Sequence, residues 1–367
     1  MKESKKKILL TGGGTGGHIM PLLLVVEALK DKADLIYVGS SGMESDLVKK
    51  TETPFKTIYA GKVRRYITIE SILLNIVDLF KNILGFLQSI QIIIKFNPDV
   101  IFAKGGYVSL PVILAGALLN KRIYLHESDT VAGWANKLGS KFAEKIFVSF
   151  PEKYYDFPKN KMINSGLPVN LSLFEEVKES DYKYFGFTKE KKTILITGGS
   201  QGANFLNDLV IANIKELIKE YQIIHLCGKK YLPALEDLKN KLENNSKNYV
   251  VYDFFDEMPK ALRVSDLVIS RASATTMFEI FAASKPAVLI PLKNAASNHQ
   301  YKNALYAEGA GAAKCLQEDE IKKDSFGKFV VSLMENDDLL KEMASNTKKL
   351  ARKDSLGVIE KEIIIES

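Results

Sequence analysis

The chain of 367 residues has little cysteine, histidine or tryptophan: it contains two cysteines, four histidines and one tryptophan. Cys227 and Cys315 form no C-x-x-C pair, and each lies in an apolar stretch. We therefore expect free buried thiols rather than a disulfide framework or a zinc site. We also expect no signal sequence, because the apolar run after the first lysines is short and ends in glycines.

The chain also has no uninterrupted apolar run of membrane-spanning length. In the best candidate, residues 69–96, polar residues recur at steps of four and three. This spacing predicts a helix with one narrow polar stripe and an otherwise apolar circumference. Basic residues lie nearby: Lys62, Arg64, Arg65 and Lys81. Two interpretations stay open, a helix that binds an anionic membrane face and a helix buried on two sides within its domain.

Length and charge narrow the class of protein further. A chain of this length is too long for one ordinary core, so we expect two domains. The net charge of +7 favours an anionic partner such as a nucleotide, an anionic lipid or a nucleic acid. A merely basic, soluble surface would explain the charge equally well.

Strand-like runs alternate with helical patterns in both halves of the chain, which predicts an α/β fold of two Rossmann-like, doubly wound parallel sheets. The predicted strands are residues 7–11, 34–39, 56–59, 100–103, 122–126, 145–150, 193–197, 222–226, 249–252, 267–270 and 287–291. We place one domain at residues 1–165 and the other at residues 166–346. A C-terminal helix at about residues 347–367 is expected to pack back on the first domain.

Two glycine-rich loops nearly repeat each other. Residues 12–18, GGGTGGH, follow the first predicted strand, and residues 198–203, GGSQGA, follow the first strand of the second half. Glycines let the backbone approach a phosphate, and the free N–H groups of the following helix favour negative charge. A third pair, Gly105-Gly106, is either another anion site or a tight turn.

Known nucleotide-binding motifs fit these loops poorly. The G-x-G-x-x-G pattern of Gly12, Gly14 and Gly17 is a weak signal for a dinucleotide, and the strand at residues 34–39 does not end in the acidic residue that holds the ribose hydroxyls. Neither loop continues into the Gly-Lys-Ser/Thr of a P-loop. These features count against a nicotinamide oxidoreductase, a nucleotide-sugar epimerase and a P-loop NTPase.

Several polar residues are candidates for catalysis. His18 lies at the predicted start of a helix, where the helix dipole favours a neutral imidazole that can accept a proton from a substrate hydroxyl. Its alternative role is to order the loop. Glu279, one turn inside the helix after residues 271–275, can accept hydrogen bonds from ribose hydroxyls or is a surface residue. Glu127 and Asp129 are sugar ligands or solvated loop residues, and are too few for a metal site.

Taken in order, the motifs are similar to those of one family. They are GGGTGGHIMP, FAKGGYVS, HESDTVAGWANK, GGSQGAN, FFDEMP, ISRASATTMFE and NHQYKNA with AEGAGA. The chain resembles the MurG family of bacterial peptidoglycan N-acetylglucosaminyltransferases, which have the GT-B glycosyltransferase fold. The resemblance implies inverting transfer of N-acetylglucosamine (GlcNAc) from UDP-GlcNAc to the 4-hydroxyl of the muramyl sugar of an undecaprenyl-pyrophosphoryl-MurNAc-pentapeptide (lipid I). It also implies a peripheral position on the cytoplasmic side of the cell membrane and a role in cell-wall synthesis.

The resemblance also implies roles for individual residues. His18 would be the catalytic base, with Glu127 as its rival. Substrate binding would fall to Thr15, Gly16, Gly17, Asp129, Asn170, Ser200, Phe255, Ala274, Thr275, Thr276, Met277, Phe278, Glu279 and Gln300. The acceptor pyrophosphate would lie at Gly13, Gly14, Gly105 and Gly106. The family implies no cofactor, no metal and no nucleic acid partner.

Two positions depart from the family pattern. Asn170 stands where many relatives carry arginine, so a charged contact is absent or supplied elsewhere. Asp129 stands where some relatives carry asparagine, and a carboxylate accepts a hydrogen bond from a sugar but does not donate one. Two other functions stay open: a UDP-sugar enzyme acting on another lipid, such as a diacylglycerol, and a non-catalytic protein that keeps the fold.

Overall fold

The structure, a computed structural model, describes residues 5–62, 68–199 and 202–365. It divides into two compact units. The first consists of Met1–Pro168 together with Asp354–Ser367, and the second of Val169–Lys353. The chain thus passes between the units after Pro168 and after Lys353, a few residues beyond the crossings predicted after residue 165 and near residue 346.

The first unit is built on a parallel sheet with helices on its faces. Its strands are β1 (Lys6–Thr11), β2 (Ala33–Gly39), β3 (Phe55–Thr57), β4 (Val100–Ala103), β5 (Arg122–Glu127), β6 (Lys145–Val148) and β7 (Met162–Asn164). Its helices before the crossing are α1 (Gly16–Leu29), α2 (Met43–Lys49), α3 (Ile69–Phe96), α4 (Ser109–Leu118) and α5 (Trp134–Gly139). The strand order is β3-β2-β1-β4-β5-β6-β7.

The second unit repeats this plan with six parallel strands. They are β8 (Thr193–Thr197), β9 (Gln222–Leu226), β10 (Tyr249–Tyr252), β11 (Leu267–Ser270), β12 (Ala287–Leu289) and β13 (Ala313–Cys315), in the order β10-β9-β8-β11-β12-β13. Its helices are α6 (Glu179–Phe185), α7 (Asn204–Glu220), α8 (Leu232–Asn240), α9 (Met258–Val264), α10 (Ala274–Ala282), α11 (His299–Gly309), α12 (Lys323–Glu335) and α13 (Asp337–Leu350). The predicted fold class of two doubly wound parallel sheets is confirmed.

The last helix, α14 (Ser355–Ile364), belongs to the first unit. Its apolar residues Ile359 and Ile363 are buried in the core formed by α1 and strands β1 and β2. Glu360 pairs with Lys32 at 2.5 Å. Apolar burial therefore holds the end of the chain against the first sheet.

The sequence predictions differ from the structure mainly at short or terminal elements. β7 and β13 were not predicted, since three residues at a sheet edge carry too little periodicity. Helix α1 begins at Gly16 rather than Ile19, so Gly16 and Gly17 belong to its first turn. Cys227 is buried as expected, but Cys315 is only partly buried because β13 is an edge strand.

The long helix α3 packs on its unit with its polar stripe. Asn82 Oδ1 accepts from the backbone N–H of Gly61 at 2.9 Å, and Gln88 Oε1 accepts from that of Tyr59 at 2.8 Å. The fully or almost fully buried polar residues are Ser71, Asp78 and Ser89. The exposed side is apolar: Ile72, Leu73, Leu74, Ile76, Val77, Leu79, Phe80, Ile83, Leu84, Leu87 and Ile94. By length and composition alone Glu70–Phe96 could cross a membrane, a test that helices of soluble proteins also pass.

Candidate active site

Many of the candidate residues lie at the points where each sheet reverses its strand order. In the first unit the chain runs outward from β1 to β3 and returns to β4 on the other side of β1. In the second unit it returns in the same way from β10 to β11, beside β8. Ligands of open α/β sheets bind beyond the carboxyl ends of the two strands at such a reversal. The glycine loops after β1 and β4, and the loops after β8 and β11, occupy these positions.

The first and third glycine loops are in direct contact. Gly14 and Gly106 have φ angles of +86° and +81°, a region that L-residues with side chains rarely adopt. A Cβ on Gly106 would lie 2.4 Å from the carbonyl oxygen of Gly13, and one on Gly14 would lie 2.5 Å from the Tyr107 ring. Gly13 and Gly106 thus join the two loops into one backbone surface, which Gly14 and Gly105 adjoin in sequence, and only glycine fits at Gly14 and Gly106.

His18 lies in the first turn of α1 and is half-buried. Its Nδ1 is 2.8 Å from the Thr15 hydroxyl, and Thr15 is the N-cap residue of the helix. When Nδ1 carries the proton and donates it to the hydroxyl, Nε2 is the ring nitrogen that can accept a proton. The geometry is compatible with a general base whose ring orientation is fixed by Thr15.

Glu127 ends β5 and is buried. Its carboxylate accepts hydrogen bonds from Asn136 Nδ2 at 2.9 Å, from the Gly133 N–H at 2.9 Å and from the Asp129 N–H at 3.1 Å. Burial raises the pKa of Glu127, and the Asp129 charge adds to this, while the three hydrogen bonds oppose it. These bonds fix the loop from residue 127 to 133, so the carboxylate has an ordering role whether or not it is also a base.

Sequence reasoning missed a buried lysine in this region. Lys104 precedes Gly105, is 1% exposed, and reaches the end of β5, where its Nζ lies 2.8 Å from His126 Nδ1 and donates to the Ser128 hydroxyl. His126 Nε2 is 3.0 Å from the Gly166 carbonyl oxygen. The signal was present in the sequence, as a charged residue directly after the apolar strand at residues 100–103.

In the second unit the glycine loop is supported by a buried network. A Cβ on Gly202 would lie 2.0 Å from the Cys227 carbonyl oxygen, and Asn207 Nδ2 donates to the same oxygen at 2.9 Å. His225 lies between Asn207 Oδ1 and the Tyr249 hydroxyl, at 3.0 and 2.9 Å. Burial lowers the pKa of His225 to about 3, so this histidine is a neutral structural residue. Ser200 lies outside the described residues.

The second loop of this unit leads into α10, which begins with a run of small residues. The Ser273 hydroxyl caps α10 by accepting from the Thr276 N–H at 3.3 Å. Glu279 lies in the second turn of the helix, and burial raises its pKa to about 7. Among the residues that the structure describes, the Glu279 carboxylate makes no hydrogen bond or ion pair, although its backbone carbonyl accepts from the Ala283 N–H. A half-buried carboxylate without a protein donor is suited to receive hydroxyl groups from a ligand. The remaining predicted residues of this run are Ala274, Thr275, Met277 and Phe278, of which all but Thr275 are buried in the core.

Gln300 is held beside the end of β12. Its Oε1 accepts from the Leu292 N–H at 2.9 Å. The buried Arg271 donates to the carbonyl oxygens of Ile290 and Pro291 at 3.1 and 3.2 Å and pairs with Glu318 at 2.6 Å. Arg271 thus fixes the segment from which Gln300 is positioned, a function that the sequence analysis did not assign to it.

The side chains of two further predicted ligand-binding residues, Phe255 and Asn170, contact other residues of the protein. The Phe255 ring is buried and packs on Tyr252 and Phe185, with ring centroids 5.0 and 5.5 Å apart, which leaves its backbone as the group that a ligand can meet. Asn170 Oδ1 accepts from the Ser172 N–H at 3.0 Å. In the described parts of the chain, no three His, Cys, Asp or Glu side chains gather into a metal site.

Two family models match the chain. The model of the glycosyltransferase family 28 N-terminal domain matches residues 8–148, and that of the C-terminal domain matches residues 193–357. The chain is 41% identical over 339 residues to UDP-N-acetylglucosamine--N-acetylmuramyl-(pentapeptide) pyrophosphoryl-undecaprenol N-acetylglucosamine transferase 2 of Bacillus cereus, covering 92% of this chain and 94% of that protein. It is also 37% identical over 363 residues to the transferase of Clostridium tetani, which has the same name without the final number. That match covers 97% of this chain and 98% of the relative.

A solved structure agrees with these similarities. The structure of MurG from Acinetobacter baumannii superposes with a TM-score of 0.76 at 27% sequence identity, covering 99% of this chain and 100% of that one. Three findings lead to one assignment. Two domain models match in the expected order, relatives match over nine-tenths of the chain, and a solved structure matches from end to end. The chain belongs to glycosyltransferase family 28.

Proposed function

We propose that this chain transfers GlcNAc from UDP-GlcNAc to the 4-hydroxyl of the muramyl sugar of undecaprenyl-pyrophosphoryl-MurNAc-pentapeptide. The product is the disaccharide lipid used in peptidoglycan synthesis, which connects the enzyme to cell shape and division. The observation that carries the proposal is similarity at 37–41% identity, over at least nine-tenths of the chain, to transferases named for this donor and this acceptor.

The second unit is proposed to hold the donor. The Glu279 carboxylate accepts from the ribose hydroxyls, and the N–H groups at the start of α10 meet the phosphates. Phe255 contacts uracil through its backbone, and Gln300 binds hydroxyls of GlcNAc after exchanging its contact with Leu292. Ser200 and Asn170 complete the proposed donor ligands, together with Thr15, Gly16 and Gly17. The unpartnered Glu279 and the cap at Ser273 support this assignment.

The first unit is proposed to hold the acceptor. The joined glycine loops receive its pyrophosphate, and Asp129 accepts from a sugar hydroxyl. His18 removes the proton of the 4-hydroxyl through Nε2 as that oxygen attacks C1 of GlcNAc on the face opposite UDP. The bond from C1 to the phosphate oxygen breaks, UDP leaves toward backbone N–H groups, and the α-linked donor gives a β-linked product. The hydrogen bond between His18 and Thr15 supports His18 over Glu127, whose carboxylate already accepts three hydrogen bonds.

The direct test is transfer of radiolabelled GlcNAc from UDP-GlcNAc to a short-chain analogue of the muramyl lipid. The wild type should form the disaccharide lipid, while His18→Ala and Glu279→Ala should lose most of the transfer with folding intact. A wild type that binds UDP but transfers nothing to the muramyl lipid would move the assignment to another acceptor, and a diacylglycerol would be the next one to try.

We further propose that α3 binds the enzyme to the cytoplasmic face of an anionic membrane. Its polar stripe is satisfied within the unit, whereas its apolar side is exposed, with Leu73 and Phe80 at 60% and 62%. An exposed apolar patch of this extent marks an interaction surface. The basic segment before the helix would add attraction to anionic lipid; of its residues Lys62 is described, whereas Arg64 and Arg65 lie outside the described residues.

Vesicle binding tests the membrane proposal. The variant with Phe80→Ser and Leu84→Ser should bind vesicles of mixed phosphatidylglycerol and phosphatidylcholine at least about tenfold more weakly than the wild type, since each buried apolar side chain contributes about 1.5–3 kcal/mol. Ile211→Ser, at an exposed isoleucine of the second unit, is the matched control and should bind like the wild type. Equal binding of all three proteins would exclude α3 as the membrane contact.

A further inference from the structure

We propose that Lys104 is a positioning residue of the acceptor site, whose ammonium group fixes two substrate loops together and supplies the positive charge beneath the site for the acceptor pyrophosphate. This proposal rests on the proposed function, because it takes the acceptor to be a pyrophosphate-linked lipid. It assigns a role to Lys104, which lies in the FAKGGYVS motif but received no role in the sequence analysis.

The first argument is geometric. Lys104 follows β4 and begins the third glycine loop, while its side chain extends to the end of the neighbouring strand β5. There Nζ donates to His126 Nδ1 at 2.8 Å and to the Ser128 hydroxyl. His126 and Ser128 flank Glu127 in sequence, so a single ammonium group ties the loop at residues 104–109 to the loop that begins at residue 127.

The hydrogen-bond network also fixes the direction of the contact with His126. The Gly166 carbonyl oxygen, 3.0 Å from Nε2, is only an acceptor, so Nε2 carries the proton. Nδ1 then has a free lone pair, and Lys104 must be the donor. Burial lowers the pKa of His126 well below its usual value, and the Lys104 charge adds to this effect. His126 is therefore a neutral acceptor and offers Lys104 no compensating negative charge.

The second argument is electrostatic. Lys104 is almost completely buried, and among the described residues the two carboxylates that act on its charge, Glu127 and Asp129, form no ion pair with it. A buried charge without a paired counter-charge is costly. An anion bound on the adjoining glycine surface would supply this counter-charge. Both phosphates of a disubstituted pyrophosphate stay ionised throughout the neutral range, so such a ligand favours the charged lysine.

The third argument is the position of Lys104 against the glycine surface. A Cβ on Gly12 would lie 3.0 Å from Lys104 Cβ, and the Lys104 N–H donates to the Thr11 carbonyl oxygen at 2.8 Å. Gly105, the next residue, has a φ angle of +92°. The backbone and Cβ of Lys104 thus lie against the base of the first glycine loop, and the residue begins the third, so Lys104 adjoins both loops that would meet the phosphates.

The surrounding titratable groups set the sign of the pH dependence. Burial lowers the pKa of Lys104 to about 7, and Glu127 and Asp129, both after β5, oppose this shift. Glu44 lies on the far side of the first glycine loop, against Gly13, and Tyr155 is influenced by the same two carboxylates. In the free enzyme Lys104 is therefore charged below pH 7 and neutral above it, so acceptor capture should weaken as the pH rises through 7.

The test measures kcat/KM for a short-chain muramyl lipid analogue from pH 5.5 to 9, with UDP-GlcNAc saturating. The wild type should lose activity on the alkaline side by up to about tenfold per pH unit. Lys104→Arg keeps the charge at every pH, so its alkaline limb should disappear while substantial activity remains. Lys104→Met has no charge, so its alkaline limb should also disappear, but at an acceptor kcat/KM at least tenfold lower. The KM for UDP-GlcNAc should stay unchanged in both variants.

The pH profiles of the variants also distinguish the proposed role of Lys104 from a purely structural one. An alkaline limb that persists in Lys104→Met, or a loss in both variants that is equal at every pH, would leave Lys104 a purely structural residue and overturn the proposal. Lys141→Met, at an exposed lysine of the same unit, controls for loss of surface charge and should match the wild type. Circular dichroism checks that each variant is folded. Failure of the proposed function itself would show in the wild type, as no transfer to the muramyl lipid.

Discussion

At the residue scale, the half-buried Glu279 should make donor binding depend on pH. Burial raises the pKa of Glu279 to about 7, and only the ionised form accepts from both ribose hydroxyls. Affinity for UDP-GlcNAc should therefore increase as the pH rises from 5.5 to 8, by up to about tenfold per unit below pH 7. UDP-GlcNAc is the suitable probe, since its disubstituted pyrophosphate does not titrate in this range. Calorimetric titration at several pH values measures the effect.

The same carboxyl predicts a stability effect of definite sign in the protein without ligand. The pKa of Glu279 is raised on folding, so the native state binds more protons than the unfolded state, and the free energy of unfolding falls as the pH rises from about 4.5 to 7. Glu279→Gln should remove this contribution and flatten the pH dependence of donor affinity. The 2′-deoxy donor, with one hydroxyl fewer, is the ligand-side control. A wild type whose affinity for UDP-GlcNAc is the same at pH 6 and pH 8 would contradict the assignment.

Single substitutions of His18 and Glu127 should show which of the two is the catalytic base and which one orders its loop. His18→Ala should lower kcat by about 10²–10⁴ with the KM for UDP-GlcNAc and the melting temperature nearly unchanged, as expected for the loss of a general base. Glu127→Gln should lower the melting temperature as well, because the new amide NH2 faces groups that donate to the carboxylate, Asn136 and the Gly133 and Asp129 N–H groups. If Glu127→Gln abolishes transfer at full stability while His18→Ala stays active, the two roles are exchanged.

The residues that sequence reasoning located and those it missed differ in a physical way. The glycines at strand-to-helix turns, and Glu279 near the start of a helix, could be located from the local sequence. Backbone conformation and position within a helix are local properties. Lys104 and Arg271 act on partners 22 and 19 residues away or more. Which side chains meet across neighbouring strands depends on strand order, and the chain alone does not display that order.

At the scale of elements, Gly85 in α3 should resist substitution although it lies inside a helix. A Cβ at this position would lie 1.8 Å from the Tyr59 carbonyl oxygen, so Gly85→Ala should destabilise the protein by about 1–3 kcal/mol through overpacking. In an open helix position the same change stabilises by about 1 kcal/mol. Gly357 of α14 is that position, with nothing within 4 Å of an added Cβ. Chemical denaturation of Gly85→Ala and Gly357→Ala should therefore give shifts of opposite sign, and a Gly85→Ala that stabilises the protein would show that α3 does not pack as closely as described.

The bounds of α3 were predictable, whereas its orientation was not. The spacing of polar residues over 69–96 predicted the observed helix, Ile69–Phe96, and its narrow polar stripe. In most soluble proteins the apolar side of such a helix faces the core. Here the polar stripe meets backbone groups at Tyr59 and Gly61. Tyr59 ends the predicted strand at residues 56–59, whereas β3 ends at Thr57. That the N–H groups of Tyr59 and Gly61 need hydrogen-bond partners outside the sheet was therefore not visible in the pattern.

At the scale of the whole molecule, two similar sheets were predictable because each half repeats the same order of glycine loop, helix and strand. The strand orders place the loops after β1 and β4, and after β8 and β11, at equivalent reversals. The packing of the last helix was harder to predict from the sequence. That α14 leaves the second unit to join the first rests on long-range burial of Ile359 and Ile363, and helical periodicity alone does not specify which core a helix joins.

The return of α14 predicts that the end of the chain stabilises the unit in which the chain begins. Ile363 is completely buried in the first core, so Ile363→Ala should cost about 2–5 kcal/mol in that unit. The only tryptophan of the chain, Trp134, lies in α5 of the first unit, so its fluorescence reports unfolding there. Val330→Ala, in the core of the second unit, is the matched control. Ile363→Ala should lower the denaturant midpoint of the Trp134 signal and leave UDP affinity intact. Val330→Ala should instead weaken UDP binding as the second unit loosens, and the reverse pattern would place α14 with the second unit.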